Sequence, residues 1–159
     1  MKTPLFIATL VAFSVVPFVT YAHGDEDHGK KDYSFGTPAK ESDATRTIAV
    51  KASDDMKFTP SELTVKQGET IKFLVTNTGQ LVHEFNVGDV PSQRAHALMM
   101  EKMPDMHHEG DPTVLTLKPG ETKSLVWSFN KRPTAPIEIA CQEVGHYKQG
   151  MKIKVTLTN

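Results

Sequence analysis

This chain has very little cysteine and almost no excess of one charge over the other. Cysteine occurs once in 159 residues, at Cys141, so a fold held together by internal disulfides is excluded. The 18 basic residues nearly balance the 19 acidic ones. Without a strong basic field, the composition argues against nucleic acid and anionic membrane surfaces as partners.

Long apolar runs are absent beyond the first residues. The chain begins Met1-Lys2, continues with an apolar run over residues 5–19 and reaches small residues at Thr20-Tyr21-Ala22. This order predicts a secretory signal peptide over residues 1–22 and a periplasmic destination, with no membrane insertion once the signal is removed. In an oxidising compartment, ligation to a metal would explain why an unpaired thiol is tolerated.

Aliphatic residues are sparse between residues 23 and 45, where polar and charged residues dominate. Such a segment cannot bury enough apolar surface to fold alone, so we predict a flexible arm there. It contains His23 and His28, and cleavage after Ala22 would leave His23 as a chelating N-terminus. The competing interpretation of these histidines is a solvated tail. Residues 46–159 are then left to form one domain with its own core.

From residue 46 onward, apolar and polar residues alternate in short runs separated by turns, which is typical of half-buried strands. Residues 63–70 resemble residues 115–122, and both segments read as a strand, a glycine turn and the start of another strand. No alternation of strands with helices is visible. The pattern predicts an all-β antiparallel sandwich.

Residues 92–103 depart from the strand pattern, because they are helix formers without glycine or proline and Pro104 ends the run. On a helix, several thioether and imidazole side chains would cluster on one side, and others follow the proline. The set comprises His96, Met99, Met100, Met103, Met106, His107 and His108. Thioethers suit Cu(I) and imidazoles suit Cu(II), so one interpretation is a second copper site. The other is that the methionines pack this short helical insertion onto the sandwich.

Cys141 starts a short loop with the spacing Cys-x4-His-x4-Met, which adds His146 and Met151. Residues two apart on a strand share a face. Cys141 therefore lies on the apolar face of the strand before the loop, and Met151 lies on the apolar face of the strand after it. A further imidazole is available from His83, which shares its face with Phe85 on a separate predicted strand.

Two histidines, one cysteine and a weak axial methionine are the donor set of blue-copper sites. Each of these residues taken alone is more often a packing residue than a ligand. Their joint arrangement on one loop and one separate strand points to a metal instead. The sequence therefore predicts one mononuclear, redox-active copper site, formed by His83, Cys141, His146 and Met151.

At these residues the chain resembles the cupredoxins, small copper proteins built on a Greek-key β-sandwich, over residues 47–159. It looks most like the periplasmic cupredoxins linked to copper tolerance, which share the His83-Glu84-Phe85 run, an insertion like residues 96–108 and often a histidine-rich start. The resemblance implies that His83, Cys141 and His146 are equatorial copper ligands and that Met151 is the axial one. Many cupredoxins carry asparagine directly after the first histidine ligand, and Glu84 departs from that pattern.

The resemblance implies a copper-binding protein of copper tolerance or homeostasis. Copper ions are the expected ligand, and a periplasmic redox or copper-handling protein is a candidate partner. The alternative is a soluble electron carrier of a respiratory or redox chain, but the additional methionines and histidines favour tolerance. We do not predict an enzyme. Cys141 is flanked by Ala140 and Gln142 instead of the histidines found in multicopper oxidases, and the chain is too short for their several domains.

Overall fold

The computed structural model of the protein describes residues 32–106, 108 and 110–159. Over these residues ten strands form two five-stranded sheets. The strands are β1 (Thr37–Pro38), β2 (Arg46–Ser53), β3 (Lys57–Thr59), β4 (Glu62–Lys66), β5 (Thr70–Asn77), β6 (His83–Asp89), β7 (Val114–Leu117), β8 (Thr122–Ser128), β9 (Ile137–Ala140) and β10 (Lys152–Thr158). An α-helix, α1, spans Val90–Lys102, and short 3₁₀ turns span Glu41–Asp43 and Tyr147–Gln149. Within this described part, no helix is long and apolar enough to cross a membrane.

The apolar faces of the two sheets meet in one core. The first sheet has the order β1-β8-β5-β2-β3 and the second the order β4-β10-β9-β6-β7. Phe73 from the first sheet and Phe85 from the second are fully buried, with ring centroids 5.2 Å apart. Sheets that share a core in this way form a sandwich. The predicted all-β sandwich is therefore confirmed.

Two strand pairs run parallel, which the prediction of an antiparallel sandwich missed. β2 pairs with β5, and β4 pairs with β10, in parallel. They arise because the chain changes sheets: β4 belongs to the second sheet, although β3 and β5 belong to the first. Alternating hydrophobicity indicates which face of a strand is buried, but it carries no information on the direction of the neighbouring strand.

The two similar sequence segments form equivalent crossings from the second sheet to the first. Each has a glycine in the left-handed region, Gly68 at φ 84° and Gly120 at φ 77°. In both, the glutamate after the glycine accepts a hydrogen bond of 2.9 Å from the backbone N–H three residues before it. Nothing lies within 4 Å of where a Cβ would stand, so the backbone angle alone favours glycine. The predicted strand, glycine turn and second strand are confirmed.

The folded domain begins before residue 46, inside the segment that we predicted to be a flexible arm. Phe35 is 3% exposed, and its ring stacks on that of Trp127 with centroids 5.3 Å apart. Gly36 has φ 140°, and a Cβ there would lie 2.5 Å from Nε1 of Trp127. β1 then pairs with β8. The burial of one aromatic ring thus attaches this segment to the sandwich, which a composition-based prediction does not register.

The remaining parts of the predicted N-terminal organisation are the signal peptide over residues 1–22 and the arm over residues 23–31. Both lie outside the described residues, as do His23 and His28. These assignments therefore stay predictions.

Helix α1 confirms the predicted helical insertion and begins two residues earlier than residue 92. The Asp89 side chain caps it by accepting a hydrogen bond of 2.9 Å from the backbone N–H of Ser92, and Pro91 lies in its first turn. The residues that α1 buries are Gln93, His96 and Met100. The helix packs against β6 and β9, so both faces of β6 are covered.

Candidate metal centre

His83 is the first residue of β6, and its side chain is fully buried. Its Nε2 atom lies 3.1 Å from Oδ1 of Asp54, which belongs to the loop between β2 and β3. Its Nδ1 atom is buried and has no hydrogen-bond partner among the described residues. A buried polar atom without a partner is costly, and a metal ion would satisfy it.

Cys141 follows β9 directly and is completely buried. The backbone N–H of Glu84 donates a hydrogen bond of 3.2 Å to its Sγ atom. Burial raises the pKa of the Cys141 thiol to about 12, and the backbone N–H groups of Glu84 and Glu143 only partly offset this rise. The thiol is therefore protonated at neutral pH in the metal-free protein, and a cation at this position would favour the thiolate.

His146 brings the third donor to the same place. Its Nδ1 atom lies 3.3 Å from Sγ of Cys141, and its ring centroid is 5.1 Å from that of His83. One donor atom from each of these three residues lies within 4.8 Å of the others. Burial, and after it the neighbouring His83, lower the pKa of His146, which favours the neutral imidazole that binds metals. His146 is only half-buried, as expected for a residue on the solvent side of a site.

The loop from Cys141 to Met151 is held by its own backbone. The Cys141 N–H donates to the Met151 carbonyl at 3.1 Å, and the Met151 N–H donates to the His146 carbonyl at 3.2 Å. Gly145 and Gly150, with φ 89° and 95°, directly precede His146 and Met151. These left-handed positions allow the tight loop, and Met151 itself is fully buried.

The first cluster consists of His83, Cys141 and His146. Its two imidazoles and one sulfur, all gathered around one point and largely shielded from water, fit a copper ion. Of the four residues predicted from the sequence, three bring their donor atoms together. The fourth, Met151, forms backbone hydrogen bonds with Cys141 and His146. Their role as ligands stays a prediction.

A second cluster consists of Glu84, His96 and His108. The Nε2 atoms of the two histidines are 3.1 Å apart. The Glu84 carboxylate lies against both, with Oε2 at 3.5 Å from His96 Nε2 and Oε1 at 3.4 Å from His108 Nε2. One donor atom from each residue lies within 4.8 Å of the others, as in the first cluster.

Only some of the predicted residues of the helical insertion come together in the structure. Met100 is buried, with Sδ 3.2 Å from His108 Nε2, and thus joins His96 and His108. Met103 and Met106 are exposed, and Met99 is half-buried. The side chain of His107 lies outside the described residues. The methionine stripe therefore supplies one buried thioether to the second cluster.

The electrostatics of the second cluster favour neutral side chains in the absence of a metal. Burial is the main cause that raises the pKa of Glu84 to about 8, and the charge of the nearby Glu143 is the second. A hydrogen bond from the Gln142 backbone lowers this pKa in part. Burial, and after it His108, lower the pKa of His96 to about 4. Both groups are therefore largely neutral at pH 7 without a metal. A bound cation would reverse this preference for Glu84, because it stabilises the carboxylate.

Two residues at this centre were not predicted from the sequence as site residues: Glu84, a member of the second cluster, and Asp54, which contacts His83 of the first. Glu84 had a signal, since it stands where many cupredoxins carry asparagine. Asp54 had none, because an acidic residue in a polar turn is unremarkable until the fold brings that turn to His83.

The chain belongs to the cupredoxin-like family. The family model of the cupredoxin-like domain matches residues 12–125, which is more than half of the chain. This match contains His83 and helix α1 but ends before Cys141. The assignment to the family therefore does not depend on the cysteine loop.

Curated relatives extend the similarity over nearly the whole chain. A copper-resistant cuproprotein CopI from Rubrivivax gelatinosus is 36% identical over 96% of this chain and 93% of its own length. Proteins of the same description from Vibrio cholerae and Pseudomonas aeruginosa are 34% and 33% identical, covering 98% and 96% of this chain and of their own lengths, respectively.

Solved structures agree on the fold. Auracyanin from Roseiflexus castenholzii superposes with a TM-score of 0.59 at 21% identity, over 73% of this chain and 99% of that one. Auracyanin A from Chloroflexus aurantiacus, described as a blue copper protein, superposes with a TM-score of 0.56 at 19% identity, over 70% of this chain and 98% of that one.

Proposed function

We propose that the protein is a copper-tolerance cupredoxin that binds one copper ion through His83, Cys141 and His146, with Met151 as the axial ligand. The observation that carries the proposal is the first cluster, in which two imidazoles and a thiol converge within 4.8 Å. The unpartnered Nδ1 of His83 supports a metal as the missing partner. Bound copper would supply a one-electron couple between Cu(I) and Cu(II).

The residues around the first cluster suit a resident ion. Backbone hydrogen bonds within the loop hold Cys141 and Met151 in place. His83 lies on a strand that is buried on both faces. Such a frame limits the movement of the donor atoms when the charge of the ion changes. The half-buried His146 leaves one edge of the site towards solvent, where an electron or an ion can be exchanged.

Copper tolerance is favoured over electron transport by two observations. The relatives at 33–36% identity are described as copper-resistant cuproproteins. In addition, the second cluster places further donors in the same domain, and a simple electron carrier has no need of them. We place the protein in the periplasm on the basis of its predicted signal peptide. We also infer that it acts by binding copper and not as an enzyme.

We further propose that Glu84, His96 and His108, assisted by Met100, form a second copper site. The support is geometric and electrostatic. Three donors of three chemical types, from Glu84, His96 and Met100, lie around Nε2 of His108. In addition, Glu84 and His96 are both held neutral in the absence of a cation. Imidazole and carboxylate donors suit Cu(II), and the thioether suits Cu(I).

The test of the proposed function is a copper titration of the purified protein, followed by optical absorption and electron paramagnetic resonance. We expect the first equivalent to produce an intense visible band, and a later equivalent to produce a weakly coloured Cu(II) signal. Absence of the intense band would refute the thiolate site. Loss of the gene should sensitise the bacterium to copper, and restored growth with a Cys141→Ser copy would argue against a tolerance role for this site.

A further inference from the structure

Asp54 is held in contact with the buried His83 by a set of specific hydrogen bonds. Its Oδ1 atom lies 3.1 Å from Nε2 of His83 and accepts a hydrogen bond of 3.2 Å from the Leu81 N–H. Its Oδ2 atom accepts a hydrogen bond of 2.7 Å from the Gln80 N–H. The carboxylate therefore accepts two backbone hydrogen bonds and lies against the His83 ring, and the side chain is 36% exposed.

Gly79 leaves the space that this carboxylate occupies. A Cβ at position 79 would lie 1.8 Å from Oδ1 and 2.4 Å from Cγ of Asp54. The backbone of Gly79 is not in the left-handed region, so room for the carboxylate is the feature that requires glycine here. The Gly79 N–H is fixed in turn by a hydrogen bond of 2.9 Å to Oδ1 of Asn77.

The segment before His83 is also attached to the end of β2, directly before Asp54. Thr78 donates to the Ala52 carbonyl twice, from its N–H at 2.8 Å and from its hydroxyl at 2.9 Å. The position of Asp54 over His83 is thus built by the fold and does not depend on a single surface contact.

We propose that Asp54 is a positioning residue for the first cluster. It holds the proton of the His83 imidazole on Nε2, keeps Nδ1 available as the copper donor and stabilises Cu(II) relative to Cu(I). The reason is that a carboxylate accepting the second N–H of a metal-binding histidine fixes the ring and increases its electron donation. Only the effect of Asp54 on Cu(II) relative to Cu(I) rests on the proposed function, since the tautomer of His83 is a property of the metal-free protein.

The decisive variants separate charge from position. Asp54→Asn removes the charge, and Gly79→Ala keeps the charge but displaces the carboxylate. Asp55→Asn is the matched control, because it removes the same charge from the neighbouring residue. Asp55 contacts Ser53 and Lys57 instead of His83. All three proteins are first compared with the parent by circular dichroism to establish that they are folded.

We expect Asp54→Asn to weaken Cu(II) binding relative to Cu(I) binding by about tenfold to a hundredfold. For a one-electron couple this change equals a rise in reduction potential of about 59 to 118 mV. Gly79→Ala should shift the potential in the same direction, and Asp55→Asn should leave it close to the parent value. Equal potentials for Asp54→Asn and Asp55→Asn would overturn the proposal.

A second measurement needs neither copper nor a variant. Long-range ¹H–¹⁵N correlation spectra of the metal-free parent protein report which imidazole nitrogen of His83 carries the proton. The expected result is protonation at Nε2, and protonation at Nδ1 would overturn the proposal. This readout stays valid if copper binds elsewhere, so failure of the inference and failure of the copper assignment are distinguishable.

Discussion

The backbone N–H of Glu84 donates a hydrogen bond of 3.2 Å to Sγ of Cys141, while the Glu84 side chain belongs to the other cluster. His83 and Glu84 are consecutive on β6, so their side chains point to opposite faces of the strand. One face packs in the core of the sandwich and the other is covered by α1. A single strand therefore separates the two candidate metal sites, and one residue contacts both.

Cys141→Ser should abolish the intense visible absorption of the copper-loaded protein, because that band requires a thiolate donor. The variant should retain the fold, since serine is close to cysteine in size, although burial of its hydroxyl costs about 1–3 kcal/mol. Optical titration with Cu(II) measures the outcome. An intense band in the variant would show that the thiolate is not a ligand.

Met151→Leu should leave copper bound but raise its reduction potential, because the axial donor tunes the couple. We expect an effect of about one tenfold step in the ratio of Cu(II) to Cu(I) affinity, or about 59 mV. Redox titration followed by the visible band provides the measurement. If the variant instead loses copper altogether, Met151 is a primary ligand and the weak axial role is wrong.

The cysteine loop could be predicted because its information is local. Cys141, His146 and Met151 lie on one short loop, and strand parity assigns the faces of Cys141 and Met151 without any tertiary information. Asp54 could not be predicted in the same way, because its contact with His83 depends on two separate loops meeting. The same limit applies to the parallel pairing of β2 with β5, which is a property of chain crossings and not of residue pattern.

Phe35→Ala should lower the free energy of unfolding of the metal-free protein by about 3–5 kcal/mol, the usual cost of removing a buried phenylalanine. The ring is 3% exposed and stacks on Trp127, which attaches the start of the domain to β8. Urea unfolding measures the change. Leu98→Ala is the control, because Leu98 is 59% exposed and its truncation should cost about 0.5 kcal/mol or less. Equal effects of both substitutions would mean that this segment does not stabilise the sandwich.

Replacing both His96 and His108 by alanine should remove one equivalent of bound copper and leave the intense visible band unchanged. Two of the donors that meet in the second cluster are then absent, while the first cluster keeps all of its residues. Equilibrium dialysis with metal analysis measures the stoichiometry.

Met103→Leu is the control for the second cluster, because Met103 is 48% exposed and lies outside it. Its copper stoichiometry should match that of the parent protein. An unchanged stoichiometry in the double histidine variant would mean that these side chains only pack the insertion onto the sandwich.

The contribution of Glu84 to the stability of the metal-free protein should fall between about pH 5 and pH 8. Burial raises the pKa of this carboxyl from 4.5 to about 8, so over this range the unfolded chain releases a proton that the folded protein retains. The unfolded state is thereby favoured by up to about 1.4 kcal/mol per pH unit. The stabilising contribution is full below pH 4.5 and is lost as the pH rises through 8.

Glu84→Gln cannot ionise, so its free energy of unfolding should lack this part of the pH dependence. Urea unfolding of the parent and the variant at pH 5, 6.5 and 8, with a chelator present, measures the difference. Glu143, whose pKa is also raised by burial, and His96, whose pKa is lowered and acts in the opposite direction, are retained in both proteins. The difference between the two proteins therefore isolates Glu84. Parallel stability curves would mean that Glu84 ionises in the folded protein at its ordinary pKa and is not held neutral by burial.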